Sequence, residues 1–323
     1  MTAPEDLLAA ILRDRPELTP EQIVAETGAT LDQARRLWRA LGFPEYAGDR
    51  PAFTRADAGA LRTVMEGIEG GEVDFDTTLA LVRATGQTMA RLADWQVGTL
   101  VGRLEEFSEP GEGDNTRLHA AIRLIDNVER PFEDLLVYAW RRHLAAAVAR
   151  IEALGAAEES LNTTTLTVAF ADMVSFTALS NTLPEDHIGD LVEVFESRCG
   201  DAVAGSGGRV IKSLGDSVLF VHDDAAGAVS AAEGILRVIG RDPRLPDVRI
   251  GMATGAITMR LGDVFGPPVN LAARLTTVAR RNRVVSDHAT ADLLSPEIFD
   301  TQALPARPVR GFGEVEPVVV RRR

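Results

Sequence analysis

Lysine is almost missing from this sequence: of 34 basic residues, all but Lys212 are arginine. Such usage fits the base composition of the coding DNA, and a lone lysine within it points to a position where that chemistry was needed. Cysteine is equally scarce. Cys199 stands alone, which excludes an intrachain disulfide and fits a reducing cytosol, so a cytoplasmic location is expected. Positive charge is in deficit, with 48 acids giving a net charge of −14. That argues against non-specific binding to nucleic acid, which depends on cations neutralising phosphates, and against an anionic membrane surface. No apolar run reaches the length of a membrane span, and the first residues do not read as a signal peptide. Gly205-Ser206-Gly207-Gly208 is a turn whose spacing fits neither a P-loop nor a dinucleotide fingerprint. There is no internal repeat.

What is present divides the 323 residues into two expected domains: residues 1–155, all helical and ending in a linker helix, and residues 156–323. In the first, apolar residues recur at helical spacing in Leu7–Leu12, Leu31–Leu41, Leu61–Ile68 and Leu79–Leu104. Thr19-Pro20 is a capped helix start, and Thr30 can cap a second helix after Gly28. The pair resembles a helix-turn-helix, but Arg35, Arg36 and Arg39 are offset by Glu21, Glu26 and Asp32, so a packing or regulatory unit is the better reading. Ser108–Asn115 reads as a turn, and an amphipathic stretch then runs from Thr116 to Leu154, kinked or split by Pro131. His143 in that stretch is a candidate proton sensor; a solvated helix histidine is the plain alternative. An apolar regulatory ligand between the long helices is a second possibility for the input.

From Ala156–Asn162, a polar connection, the pattern alternates. Strands are expected at 164–171, 209–214, 217–222, 247–254, 256–261, 283–286 and around 307–321, with helices near 184–200, 224–240, 268–279 and 287–294. The stretch from Thr164 to Thr177 begins as a buried strand and places Asp172 where that strand should end. A charge there is costly unless something compensates it. Asp216 follows Gly215 between two further strands; it is a good hairpin residue and also a good place to present a carboxylate. Two acids at the ends of adjacent strands point to a divalent-metal site for a phosphorylated substrate.

Three segments in order, FADMVSFT, IKSLGDSVLF and GDVFGPPVNLAARL, make residues 155–323 resemble the class III nucleotidyl cyclases, specifically adenylyl cyclases of the soluble actinobacterial kind with a helical regulatory region in front. The resemblance implies a ferredoxin-like βαββαβ core in an α+β domain, two Mg²⁺ or Mn²⁺ per active site held by Asp172 and Asp216, and ATP as substrate. It assigns Lys212 and Asp263 to the purine, Asn270 to the ribose, Arg274 to charge on the transferring phosphorus, and Arg310 to the outer phosphates, where many members have lysine. Backbone amides after Asp172, at Phe176 and Thr177, would cradle the triphosphate. The purine assignment also has its own logic: a donor-only lysine and an acceptor-only aspartate match adenine N1 and its 6-amino group, whereas guanine presents the reverse. Because one chain carries both sets of residues, the resemblance implies a head-to-tail homodimer. The competing reading is a catalytically silent nucleotide-binding sensor or a helix-turn-helix regulator.

Overall fold

The computed structural model describes residues 9–44, 50–71, 73–107, 114–156, 163–260 and 262–323. The chain forms two compact units, residues 1–144 and 145–323. Parts of the expected Leu7–Leu12 helix, the Ser108–Asn115 turn and the Ala156–Asn162 connection lie outside the described residues.

The first unit is helical: α1 (Pro20–Thr27), α2 (Leu31–Leu41), α3 (Arg55–Glu69), α4 (Phe75–Phe107) and α5 (Asp114–Ala156), the last running past the division between the units. Local chemistry sets three of the starts. Thr19, Thr30 and Thr54 each accept from the amide three residues on, while Gln22, Gln33 and Asp57 reach back to the cap, closing three capping boxes. Gly28, at φ 71°, ends α1 in the left-handed conformation that suits glycine. Ile23, Leu37, Trp38, Phe53, Leu61 and Met65 make the core, with Phe53 edge-on to Trp38 at 5.0 Å between ring centroids. Pro131 does not split α5, which stays helical on both sides of it. A proline removes one backbone donor and crowds one carbonyl, and the remaining bonds of a long helix carry it through. Leu135, Tyr138 and Trp140 are exposed along α5.

The second unit contains β1 (Thr163–Met173), α6 (Phe176–Ser180), α7 (Glu185–Gly205), β2 (Arg209–Ser213), β3 (Ser217–His222), α8 (Ala225–Ile239), β4 (Val248–Arg260), β5 (Asp263–Phe265), α9 (Pro267–Val278), β6 (Val284–Ser286), α10 (His288–Ala291), β7 (Phe299–Ala303), β8 (Arg307–Val309), β9 (Gly313–Val315) and β10 (Val318–Arg322). The main sheet runs β2-β3-β1-β4-β6-β10-β7, with β5 added to β4. Within it, β1, α7, β2, β3, α8 and β4 form the βαββαβ unit, its strands ordered 2-3-1-4 and antiparallel to their neighbours. The fold is therefore α+β with a ferredoxin-like core, as expected.

Alternation assigns the two faces of the sheet. Ala169, Ala171 and Met173 of β1 pack with Phe195, Cys199 and Val203 of α7 and Val229 and Ile235 of α8. Leu166 and Val168 point the other way, into a second cluster with Leu219, Val221, Ile257 and Ala272 of α9. Asp172 has the parity of Leu166 and Val168, so it belongs to the face that α9 covers.

Where strands were expected at 247–254 and 256–261, a single strand, β4, runs from Val248 to Arg260 through Gly255. That glycine answers a close approach instead of a turn: a Cβ there would stand 2.9 Å from Cγ of Pro268 at the start of α9. Gly251 does the same about two turns along α9, against Ala272–Thr276. Helix 287–294 is also shorter than expected, and β7 forms where no strand was expected. We expect Gly251→Ala to lower the unfolding free energy by about 3 kcal/mol, because its Cβ would overlap the Thr276 backbone nitrogen and lie 2.6 Å from the Ala272 carbonyl oxygen. Gly255→Ala, which meets only a proline ring, should cost about 1 kcal/mol. Urea unfolding of both variants checks this, and equal midpoints would refute the close-packing explanation.

Candidate active site

The first cluster grows from the middle of the sheet. β1 pairs with β3 on one side and β4 on the other, and in that register Asp172 stands opposite Ser217 and opposite Arg249. The Arg249 guanidinium donates from Nε to Oδ2 of Asp172 at 2.8 Å, and its Nη2 stands 2.7 Å from the same oxygen in an ion pair. Burial pushes the Asp172 carboxyl above its ordinary value; Arg249 opposes that shift and the neighbouring charge of Asp216 adds to it. Asp216 comes from the β2–β3 hairpin. Gly215 turns the chain at φ 73°, the Leu214 amide donates to the Ser217 carbonyl at 2.7 Å, and the Asp216 carbonyl accepts from the Met173 amide at 2.9 Å. The two strand-end acids are thus held close through the backbone, against the repulsion of their like charges.

The second cluster joins residues 51 positions apart. Lys212 Nζ donates to Oδ2 of Asp263 at 2.5 Å, with both side chains about one-third exposed. A bulge makes this meeting possible. Val210 pairs with Phe220 and Lys212 with Leu219, leaving Ile211 as the extra residue. Lys212 therefore takes the orientation that a regular strand would give Ile211, on the same face as Leu219 and β5. Asp263 also accepts from the Val264 amide at 2.9 Å. Burial pushes its carboxyl up, but the Lys212 ammonium and that amide outweigh burial and hold it below its ordinary value.

Other positions stand apart from these pairs. Asn270 and Arg274 are exposed on the outward side of α9, opposite buried Ala272 and Leu275, and among the described residues neither is hydrogen-bonded to the four residues above. Arg310 is exposed at the tip of the β8–β9 hairpin, between Val309 and Gly311. Phe176 and Thr177 open α6 just after Ser175, which sits at φ 62°, and the Val174 amide is held by the Asp247 carbonyl at 2.7 Å. His143 is exposed on α5 in the first unit.

The donor set fits a hard divalent ion shared with a substrate. Among the described residues, no group of three or more His, Cys, Asp or Glu side chains could cage a metal. Two carboxylates with phosphate oxygens and water match the habits of Mg²⁺, which rarely takes an all-protein cage. Arg249 escaped the sequence reading. Its signal was a charge at an alternating position in an otherwise apolar strand, Val248 to Ala253, but nothing local showed which acid it would meet.

Residues 158–321 match the adenylate and guanylate cyclase catalytic domain. The chain belongs to that family. It is 37% identical to an adenylate cyclase of Streptomyces coelicolor over 97% of this chain and 88% of that protein. It is 36% identical to an adenylate cyclase of Streptomyces griseus, over 98% and 88%. Among solved structures, the adenylyl cyclase CyaB from P. aeruginosa is 22% identical, with a TM-score of 0.44 over 49% of this chain and 94% of that one. No described helix is long and apolar enough to cross a membrane.

The Lys212–Asp263 pair makes a titration prediction. A lowered acid stabilises the fold above the ordinary carboxylate range, and that contribution is lost as pH falls through the lowered value. Lys212→Met removes the ammonium but leaves most of the burial, so the Asp263 pKa should rise in a carboxyl-carbon NMR titration. An unmoved Asp263 resonance would mean that the ion pair is not what holds it down.

Proposed function

We propose that the chain is an adenylate cyclase, converting ATP to 3′,5′-cyclic AMP and pyrophosphate. One observation carries the choice of base: Lys212 and Asp263, brought side by side, pair a donor-only with an acceptor-only group on one face of the sheet. Adenine can satisfy both groups. Guanine, offering a donor at N1 and an acceptor at C6, would leave both without partners, at a cost of a few kcal/mol. The family membership and the adenylate cyclases among the relatives support the same reading.

In this reaction the ribose 3′-oxygen loses its proton and bonds to the α-phosphorus. The bond to the β-phosphate oxygen breaks, and pyrophosphate departs with the electron pair. Asp172 and Asp216 would hold two Mg²⁺ or Mn²⁺ ions, whose chemistry is to acidify the hydroxyl and neutralise the leaving group. Asn270 orients the ribose and Arg274, four residues on along α9, places a guanidinium on the charge that develops at phosphorus. The backbone at Phe176 and Thr177 and the Arg310 side chain serve the phosphates.

Residues 156–323 would form the catalytic domain, working as a head-to-tail homodimer in which each site takes its metal aspartates from one copy and its purine and phosphorus residues from the other. The unengaged, exposed positions of Asn270 and Arg274 support that division. Residues 1–155 would act as the regulatory domain, with α5 leading toward β1 and Asp172 and the exposed His143 as one candidate input.

The purified chain with Mn²⁺ should produce cyclic AMP from ATP in preference to cyclic GMP from GTP, and Asp216→Ala should abolish the product. Arg274→Ala should lower kcat by about 100- to 1000-fold. Mixing Asp172→Ala with Arg274→Ala should restore up to about a quarter of wild-type activity, since a mixed dimer keeps one intact site. Failure of the mixture to recover, with both variants folded, would argue for sites within one chain. Product from neither nucleotide would favour the silent sensor. For regulation, a chain lacking residues 1–155 should be more active than the whole; equal or lower activity would count against autoinhibition.

A further inference from the structure

Arg249 reaches Asp172 from the neighbouring strand, not from a flexible loop. It sits at the matching register position of β4, half-buried, with Nε and Nη2 converging on the single oxygen Oδ2. Its third nitrogen, Nη1, points to the Thr277 carbonyl in α9, at 3.5 Å. Two guanidinium nitrogens therefore crowd Oδ2, one as a hydrogen-bond donor and both as part of a close ion pair. No metal can coordinate Oδ2 while the guanidinium stands there, and the positive charge also disfavours a dication at the remaining oxygen.

We propose that Arg249 is an internal competitor for the metal at Asp172, so that a bare divalent cation binds weakly and the metal enters as its complex with the nucleotide triphosphate. This rests on Asp172 being a metal ligand, as in the reading above. Charge explains the asymmetry between the two forms. A bare ion that displaces the guanidinium leaves a half-buried cation without an anion beside a new dication. A metal–triphosphate complex is net negative, so it brings the anionic charge that the displaced guanidinium loses. Arg249 thereby couples metal occupancy to substrate and keeps the Asp172 carboxylate oriented between turnovers. It is a positioning residue for the metal site.

The test is Mn²⁺ binding to the full-length, nucleotide-free protein, read from the electron paramagnetic resonance signal of free Mn²⁺. Arg249→Met keeps the aliphatic stem and should bind Mn²⁺ about tenfold more tightly than wild type. Arg249→Lys, which keeps the charge but not the two-pronged contact, should fall between them and guards against misfolding of the methionine variant. Adding Asp172→Asn to Arg249→Met should cancel the gain. Unchanged or weaker binding in both single variants overturns the competition. A gain that survives Asp172→Asn overturns it too, and with it the assignment of Asp172 to the metal. If the Mn²⁺ results come out as expected while no cyclic nucleotide is formed, the competition stands and the catalytic reading fails.

Discussion

The register of β1 between two antiparallel neighbours is the constraint on which the second unit depends. β1 is paired along nearly its whole length, and its two faces meet different partners, α7 and α8 on one side and α9 on the other. Side chains in a strand alternate with period two, so a slip of one residue would exchange those faces. Asp172 would then enter the layer filled by Phe195, Cys199 and Val203, where a carboxylate has no partner. In the register observed, it lies beside the Asp216 hairpin and directly across from Arg249. The same pairing that buries Val168 and Ala169 completely therefore sets both the acid and its counter-charge.

α9 is the second element that this arrangement fixes. It can lie close across β4 only because residues 251 and 255 carry no side chain, and both glycines face its backbone or its first turn. Closeness there has two consequences. Ala272 and Leu275 complete the core beneath the helix, while Asn270 and Arg274, on the opposite side, are presented outward with little freedom in where their backbone sits. A helix resting on larger side chains would stand farther from the strand and carry those two residues with it.

Features governed by neighbours in sequence were legible, and features governed by distant chain were less so. Thr19 and Thr30 could be read as caps because the groups they satisfy lie three residues away. The β1 acid and the Gly215-Asp216 hairpin could be read because strand pattern and turn chemistry are local. Gly255 was ambiguous, since a strand glycine marks either a break or a close approach, and only the position of Pro268 decides between them. The meeting of Lys212 with Asp263 was reached through family resemblance, and no spacing rule predicts it. It depends on a one-residue bulge at Ile211, and nothing in Val210-Ile211-Lys212 announces that two successive residues will share a face. Arg249 was harder still, because its partner lies 77 positions away on another strand.

The two charged pairs differ in what a substrate would have to do to them. Lys212 and Asp263 satisfy one another in the chain as it stands, so under the proposed function adenine would gain only by bonding to both groups while they keep part of their mutual contact. A base that bonds to neither must lose the contact and gain nothing, which is where discrimination comes from. On that reading its source would be the penalty of separating two partly buried charges more than the strength of any new bond. Under the proposed function Asp172 and Arg249 would differ from them, because one member would be taken over entirely by an ion that the other repels. A purine pair that can be shared tolerates binding and release of the base on its own terms. An acid–guanidinium pair that had to be broken would stay closed until a ligand arrived with charge enough for both halves, which in the proposed function is the metal–triphosphate complex.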